Sequence, residues 1–311
     1  MCTLSSWAFL FPGQGAQEVG MGQALAEAHP AAMATWEQAE DALNLPVRDI
    51  AWYGDAEALA RTDVTQPCLL TAEVAALQVI REFGLKPVAA AGHSLGEYAA
   101  LVAAGALSFS DAVRIVRVRG QAMQDAAERS GGGMAAVIGA DEGELEALCA
   151  EIGGIALANI NAPGQVVVSG TDAGLAALEA RGKEIKARRV LRLNVAGPFH
   201  SPAMQPAAES VASALVSVTI HDPRIPVYAN VTALPEATAA EVRANLGAQV
   251  TGRVRWVDSI RNMASAGVLY YLELGPGTVL AGLIKRIRPD ATVFSVGDPT
   301  SLESFKVEAG L

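Results

Sequence analysis

The stretch VAAAGHSLGEYAALVAAGAL, residues 88–107, joins an apolar run to an alanine-rich one through Gly92-His93-Ser94-Leu95-Gly96. The run ending near Ala91 reads as a strand, and the spacing after Leu95 reads as a helix. A serine framed as Gly-x-Ser-x-Gly between two such elements sits on a sharp turn that presents its Oγ. The flanking glycines relieve crowding there. The amide after the serine points into the site from a helix N-terminus, where it can stabilise an oxyanion. The same residues also suit a plain tight turn, and the frame alone leaves both readings open.

The alternation continues outward in both directions. WAFLF (7–11) ends at PGQGAQ, and helical spacing begins near Met21. Residues 108–127 read as a helix that Ser110 or Asp111 could cap. Further on come the strand-like IPVYANV (225–231) and VLYYLELG (268–275), then a closing helix from Thr278. This order implies an α/β core with a largely parallel sheet. At RSGGGMAAV (129–137) the texture changes to strand (134–138), helix (142–152), strands (155–159 and 165–169), helix (173–181) and strand (188–195). That βαββαβ order is the ferredoxin-like one. The expected organisation is a large domain of residues 1–128 and 198–311 with a small domain, 129–197, inserted in it.

Composition narrows the function. The 311 residues carry 51% hydrophobic and 18% charged side chains, as a compact globular chain does. A chain of this length buries about 75% of its unfolded surface. The net charge of −10 argues against nucleic-acid binding, but one local arginine can still bind an anionic small molecule. Cysteines at 2, 68 and 149 form neither a disulfide framework nor a zinc signature and suit a reducing compartment. The first residues lack the basic segment and apolar length of a secretory leader. No apolar run is long enough to span a membrane. The expectation is a cytoplasmic protein with no metal or cofactor, acting as a monomer.

A nucleophilic serine needs a base, and the chain has four histidines. His93 adjoins Ser94, and its side chain should leave the turn in another direction. His29 and His221 lie in polar, surface-like stretches. His200 lies in VAGPFHSPAM, a Gly/Pro-rich loop after the inserted unit, the kind of loop that carries catalytic groups. A carboxylate following the serine, as the α/β-hydrolase order requires, has no clear candidate, and a backbone carbonyl could orient the imidazole instead. FPGQGAQ offers a turn at Gln14 able to aim a second amide into a site, though a plain strand-to-helix turn fits it too. Arg114, Arg117 and Arg119 punctuate an otherwise apolar helix, with Arg119 on a different face from its neighbours. Such arginines are commonly solvated or ion-paired, and Arg119 gains interest only for a carboxylated substrate.

Taken together, these segments resemble the malonyl-CoA:acyl-carrier-protein transacylases of type II fatty-acid synthesis. The resemblance is carried in order along nearly the whole chain by FPGQGAQ, TQPCLLTAEVA, GHSLGEYAALVAAGAL, RGQAM, GGMAAVIG, NINAPGQVVVSG, GPFHSPAM, NVTA, VRWVDSI and ELGPGTVLAGLIKRI. It implies an α/β-hydrolase-like large domain with a ferredoxin-like small one. It implies that Ser94 is the acyl-accepting nucleophile, His200 its base, and the Gln14 and Leu95 amides the oxyanion hole. Arg119 would pair with the malonyl carboxylate, and Phe199 would occupy the space of an α-methyl group. Asn159, Asn161 and Gln66 would line the site. The histidine would be oriented by a main-chain carbonyl, assigned through VRW to Arg255, although QVTGRVRW here replaces the family's usual asparagine-proline lead-in.

The implied partners are malonyl-CoA and acyl-carrier protein, docked on a basic patch: KEIKARR (Lys183, Lys186, Arg188, Arg189) or KRIR (Lys285, Arg286, Arg288). The alternatives are a discrete acyltransferase serving a polyketide synthase in trans, a serine esterase or thioesterase, and a module that only docks carrier protein.

Overall fold

The computed structural model describes residues 7–311; Cys2 and the start of the chain on which the leader reading rests lie outside the described residues. Among the described residues ten strands form two sheets: β1 (Trp7–Phe11), β2 (Ala89–Gly92), β3 (Gly133–Ile138), β4 (Ile155–Ala162), β5 (Gln165–Gly170), β6 (Arg189–Arg192), β7 (Val227–Tyr228), β8 (Pro235–Glu236), β9 (Tyr270–Leu274) and β10 (Thr292–Val296). The first sheet runs β10-β9-β1-β2-β7-β8 and is parallel except at the β7–β8 pair. The second runs β4-β5-β3-β6 and is antiparallel throughout.

The run WAFLF shows why the first sheet is central. Trp7, Phe9 and Phe11 enter one apolar core, while Ala8 and Leu10 enter a second on the opposite face. A parallel sheet is covered on both faces by its crossover helices, so its strands read as continuous apolar runs. β2, beside it, is alanine and glycine only, which lets helix 96–103 approach closely. The second sheet packs one face against helices 142–152 and 172–181 around Val137, Val168 and Leu175.

Three local readings are corrected. Helix Phe109–Ser130 is capped by Ser108, whose Oγ accepts from the Asp111 amide at 3.1 Å, rather than by Ser110 or Asp111. Of IPVYANV only Val227–Tyr228 is strand, because Ala229 and Asn230 turn away to bond elsewhere. The helix after Thr278 does not close the chain: β10 and a helix over Pro299–Ala309 follow, the latter with a capping box at Asp298.

The second sheet is tied to the segment that leads into helix 256–265. Ile160 donates to the Val254 carbonyl (2.9 Å) and Val254 to that of Ala158 (2.8 Å), so β4 gains a short parallel bridge to the chain after the second sheet. No helix among the described residues is long and apolar enough to cross a membrane.

Candidate active site

β2 ends at Gly92, and the chain reverses through His93 and Ser94 into the helix beginning at Gly96. Ser94 holds φ 51°, a left-handed conformation that non-glycine residues adopt at a cost of about 1–3 kcal/mol. Glycine on either side is compulsory: a Cβ on Gly92 would lie 1.8 Å from the Gly96 carbonyl carbon, and one on Gly96 would lie 2.1 Å from the Phe11 oxygen. Asn230 locks the turn, accepting from the Ser94 amide (2.6 Å) and donating to the Gly92 carbonyl (2.7 Å).

His200 reaches this serine from a loop that packs on the end of helix 109–130, where Gly197 lies against Ala127. His200 Nε2 is 2.8 Å from Ser94 Oγ. Its Nδ1 lies 2.9 Å from the Gln249 carbonyl and 3.0 Å from that of Gly252. Carbonyls only accept, so Nδ1 carries the proton and Nε2 is left to accept from the serine. This corrects the assignment to Arg255, whose carbonyl accepts from the Ser259 amide while its side chain pairs with Asp258. The turn after helix 239–249 brings two carbonyls to the ring, and Arg255 is already committed to starting the next helix. Burial first, then the positive charge of Arg119, holds the His200 imidazole down at about 3, so it is neutral near pH 7 with Nε2 free to accept a hydrogen bond.

Arg119 is 1% exposed and lies beside both groups. The helix that carries it crosses close to helix 62–82, with Gly120 against the Thr62 carbonyl. Its Nη1 donates to Gln66 Oε1 (2.7 Å), and its Nη2 donates to Ser94 Oγ and Gln249 Oε1 (3.0 Å each). Its Nε–H has no acceptor, and the Tyr98 ring lies 5.8 Å from the guanidinium carbon. Its direct hydrogen-bond partners are all neutral, and one of its donors is left unused.

Gln14, Gln66, Ser94, Leu95, Arg119, Asn159, Phe199 and His200 line one cavity of about 100 Å³. The Gln14 and Leu95 amides enter no backbone hydrogen bond among the described residues, and both residues line the cavity with Ser94. A bulge in β4 re-aims its side chains. Asn159 thereby lines the cavity with a free Oδ1, whereas Asn161 lies outside it and meets His93 Nε2 at 2.9 Å. His29 lies far along the chain from this turn, 3.8 Å from Glu82, and the His221 amide bonds the Ala106 carbonyl. Larger hollows occur elsewhere on the surface, but they contain neither Ser94 nor His200.

Three residues of the site were not legible beforehand: Asn230, Glu97 and Gln249. Asn230 sits in the NVTA segment and Glu97 directly follows the serine frame, in the first turn of its helix, but nothing in sequence marks them as buried partners of the turn. No grouping of three or more His, Cys, Asp or Glu with metal-site geometry occurs among the described residues.

Comparison with known proteins identifies the family. Residues 8–288 match the acyl transferase domain family. The chain is similar to the malonyl CoA-acyl carrier protein transacylase of Bacillus subtilis (strain 168), 42% identical over 304 residues that cover 96% of each chain. That of Haemophilus influenzae (strain ATCC 51907 / DSM 11121 / KW20 / Rd) is 43% identical over 306 residues, covering 97% of this chain and 98% of the relative. Among solved structures, an acyl carrier protein S-malonyltransferase from Vibrio cholerae O1 superposes with TM-score 0.94 at 38% identity, covering 97% of this chain and 100% of that one. A malonyl-transacylase solved in complex with a type II PKS acyl-carrier protein gives TM-score 0.93 at 38% identity, covering 96% and 98%. The chain belongs to the malonyl-CoA:acyl-carrier-protein transacylase family of acyl transferases.

Proposed function

We propose that this protein moves a malonyl group from malonyl-CoA to the phosphopantetheine thiol of an acyl-carrier protein, through a malonyl ester of Ser94. The observation that carries this reading is the meeting of three groups at one oxygen: Ser94 Oγ lies 2.8 Å from His200 Nε2 and 3.0 Å from Arg119 Nη2. A base alone would suit any acyl transfer; the buried cation beside it calls for an acyl group that carries its own carboxylate.

In the first half-reaction Ser94 Oγ bonds to the thioester carbonyl carbon and gives its proton to His200 Nε2. The Gln14 and Leu95 amides receive the developing oxyanion, as preorganised donors worth on the order of 10²–10³ in rate each. The carbon–sulfur bond breaks, and His200 returns the proton to the departing CoA thiolate. In the second half-reaction the carrier thiol gives its proton to His200, attacks the ester carbonyl, and Ser94 leaves as the alcohol. The steps need neither metal nor redox cofactor. Arg119 holds the free carboxylate in a bidentate pair, Phe199 fills the space of an α-methyl group, and the small cavity favours a short acyl chain.

The finer architecture belongs with this reading: a hydrolase-like large domain, 1–128 and 198–311, with a ferredoxin-like unit, 129–197, inserted so that β4 covers the serine turn. Its β4-β5-β3-β6 order supports that description. Acyl-carrier protein docks through Lys183, Lys186, Arg188 and Arg189, which are exposed and form no ion pair among the described residues. The other basic cluster is committed internally: Arg288 pairs with Asp290 at 2.7 Å, and Arg286 binds the Pro163 carbonyl at 3.1 Å. The reading also places the protein in the cytoplasm as a monomer.

Intact mass after incubation with malonyl-CoA tests the proposal. The expected result is a malonyl adduct on Ser94 that holo carrier protein removes. Rapid release of free malonate with or without carrier would instead identify a hydrolase, and failure of Ser94 to acylate would leave only a docking module.

A further inference from the structure

Beneath the Ser94 turn lies a polar network that the transfer steps do not use. Gln249 is fully buried, and its side chain spans three groups. Its Oε1 accepts from Arg119 Nη2 at 3.0 Å, while its Nε2 donates to the Ser94 carbonyl (2.8 Å) and to Glu97 Oε2 (3.0 Å). Glu97, also fully buried, accepts from the Asn230 amide at 2.8 Å and leaves Oε1 without a partner. Arg119 forms no ion pair among the described residues, and the carboxylate joined to it by a continuous hydrogen-bond path is that of Glu97. An isolated buried guanidinium is costly, and a neutral amide polarised from both ends couples a cation to an anion across it.

We propose that Glu97 is the internal counter-charge of Arg119, coupled to it through the Gln249 side chain, and that it competes with the carboxylate of an incoming acyl group. Glu97 and Gln249 are then positioning residues that act through Arg119. The inference rests on the reading of Arg119 as the carboxylate-binding group.

Binding a dicarboxylic acyl group supplies the guanidinium with a second anion, after which the negative charge on Glu97 opposes the substrate. Protonating Glu97 relieves that opposition, and burial already holds its carboxyl well above the usual carboxylate range. The charged and titratable groups facing it are Arg119 from helix 109–130, Glu236 from β8 and Tyr98 from its own helix. Burial, then the charge of Glu97, raises Glu236, and burial raises Tyr98 to about 12, so Arg119 is the cation that faces Glu97. Half-saturation by malonyl-CoA should therefore weaken as pH rises through the ionisation of Glu97.

Glu97→Gln keeps the size and an acceptor oxygen and removes only the charge. Single-turnover acylation of Ser94, read by intact mass, should show the half-saturating malonyl-CoA concentration falling on the order of 5-fold or more above neutral pH. The maximal loading rate should change less, and the pH dependence of half-saturation should flatten. In an Arg119→Ala background the same substitution should leave half-saturation unmoved. An unchanged or raised half-saturation in folded Glu97→Gln, or an effect that persists without Arg119, would overturn the proposal. If Glu97→Gln does not fold, Gln249→Met breaks the path while keeping the backbone carbonyl for His200. The same direction of shift is then expected, and no shift overturns the inference. Arg119→Ala loading malonyl as well as the unchanged protein would separately refute carboxylate binding by Arg119, and the inference with it.

Discussion

Replacing Arg119 by lysine asks whether the site needs a guanidinium or merely a positive charge. In the structure the side chain is 1% exposed, donates to Gln66, Ser94 and Gln249, and keeps Nε–H unused. Lysine is a point charge that cannot span two carboxylate oxygens from a planar fork. Removing one partner from a buried ion pair costs about 3–5 kcal/mol. At 1.36 kcal/mol per decade this is a loss of roughly 10²–10⁴ in the kcat/KM of malonyl loading. Arg119→Lys retains charge and should fall at the low end of that range, and Arg119→Ala at the high end. Acetyl loading gains nothing from the ion pair, so it should change by far less, or rise in Arg119→Ala as the unpaired cation disappears. The measurement is single-turnover acylation of Ser94 by malonyl-CoA and acetyl-CoA in parallel, with thermal unfolding as a check on the fold. A malonyl-to-acetyl ratio unchanged in the folded variants would refute the reasoning.

Four other outcomes follow from the same arrangement. The His200 imidazole lies well below its ordinary 6.5, so the maximal loading rate should stay flat as pH falls through 6.5; a midpoint there would show a solvated histidine instead. Stability, unlike the rate, does respond: the unfolded chain binds that proton first, so stability present above 6.5 is lost as pH falls toward about 3, readable by urea titration. Gly92→Ala puts a Cβ 1.8 Å from the Gly96 carbonyl carbon and should cost about 3 kcal/mol or more with loss of acylation; a stable, active variant would mean the turn is not as described. Charge reversal at Lys183, Lys186, Arg188 and Arg189 should raise the KM for carrier protein and leave that for malonyl-CoA unmoved. Equal effects in steady-state transfer assays would remove this patch as the docking surface.

Local chemistry determined what could be read from the sequence alone. The strand-turn-helix at Ser94 is legible because glycine requirement, apolar period and helix start are all set within a dozen residues. The alternation of strands and helices, and the βαββαβ order of residues 133–192, are likewise written in short-range patterns. The resemblance extended this to Ser94, His200 and Arg119, which stand 25 and 106 residues from one another in the pairs that meet at Ser94 Oγ.

Tertiary structure alone decided which backbone faces the histidine. A carbonyl has no side-chain signature, so Gln249 and Gly252 could not be told from Arg255 until the turn after helix 239–249 was placed. It also decided that Asn161 serves His93 while Asn159 faces the cavity, because a bulge breaks the simple alternation of β4. The same holds for the buried path from Arg119 through Gln249 to Glu97. Burial gives a polar residue its energetic weight, and burial is a property of the packed chain rather than of any short segment.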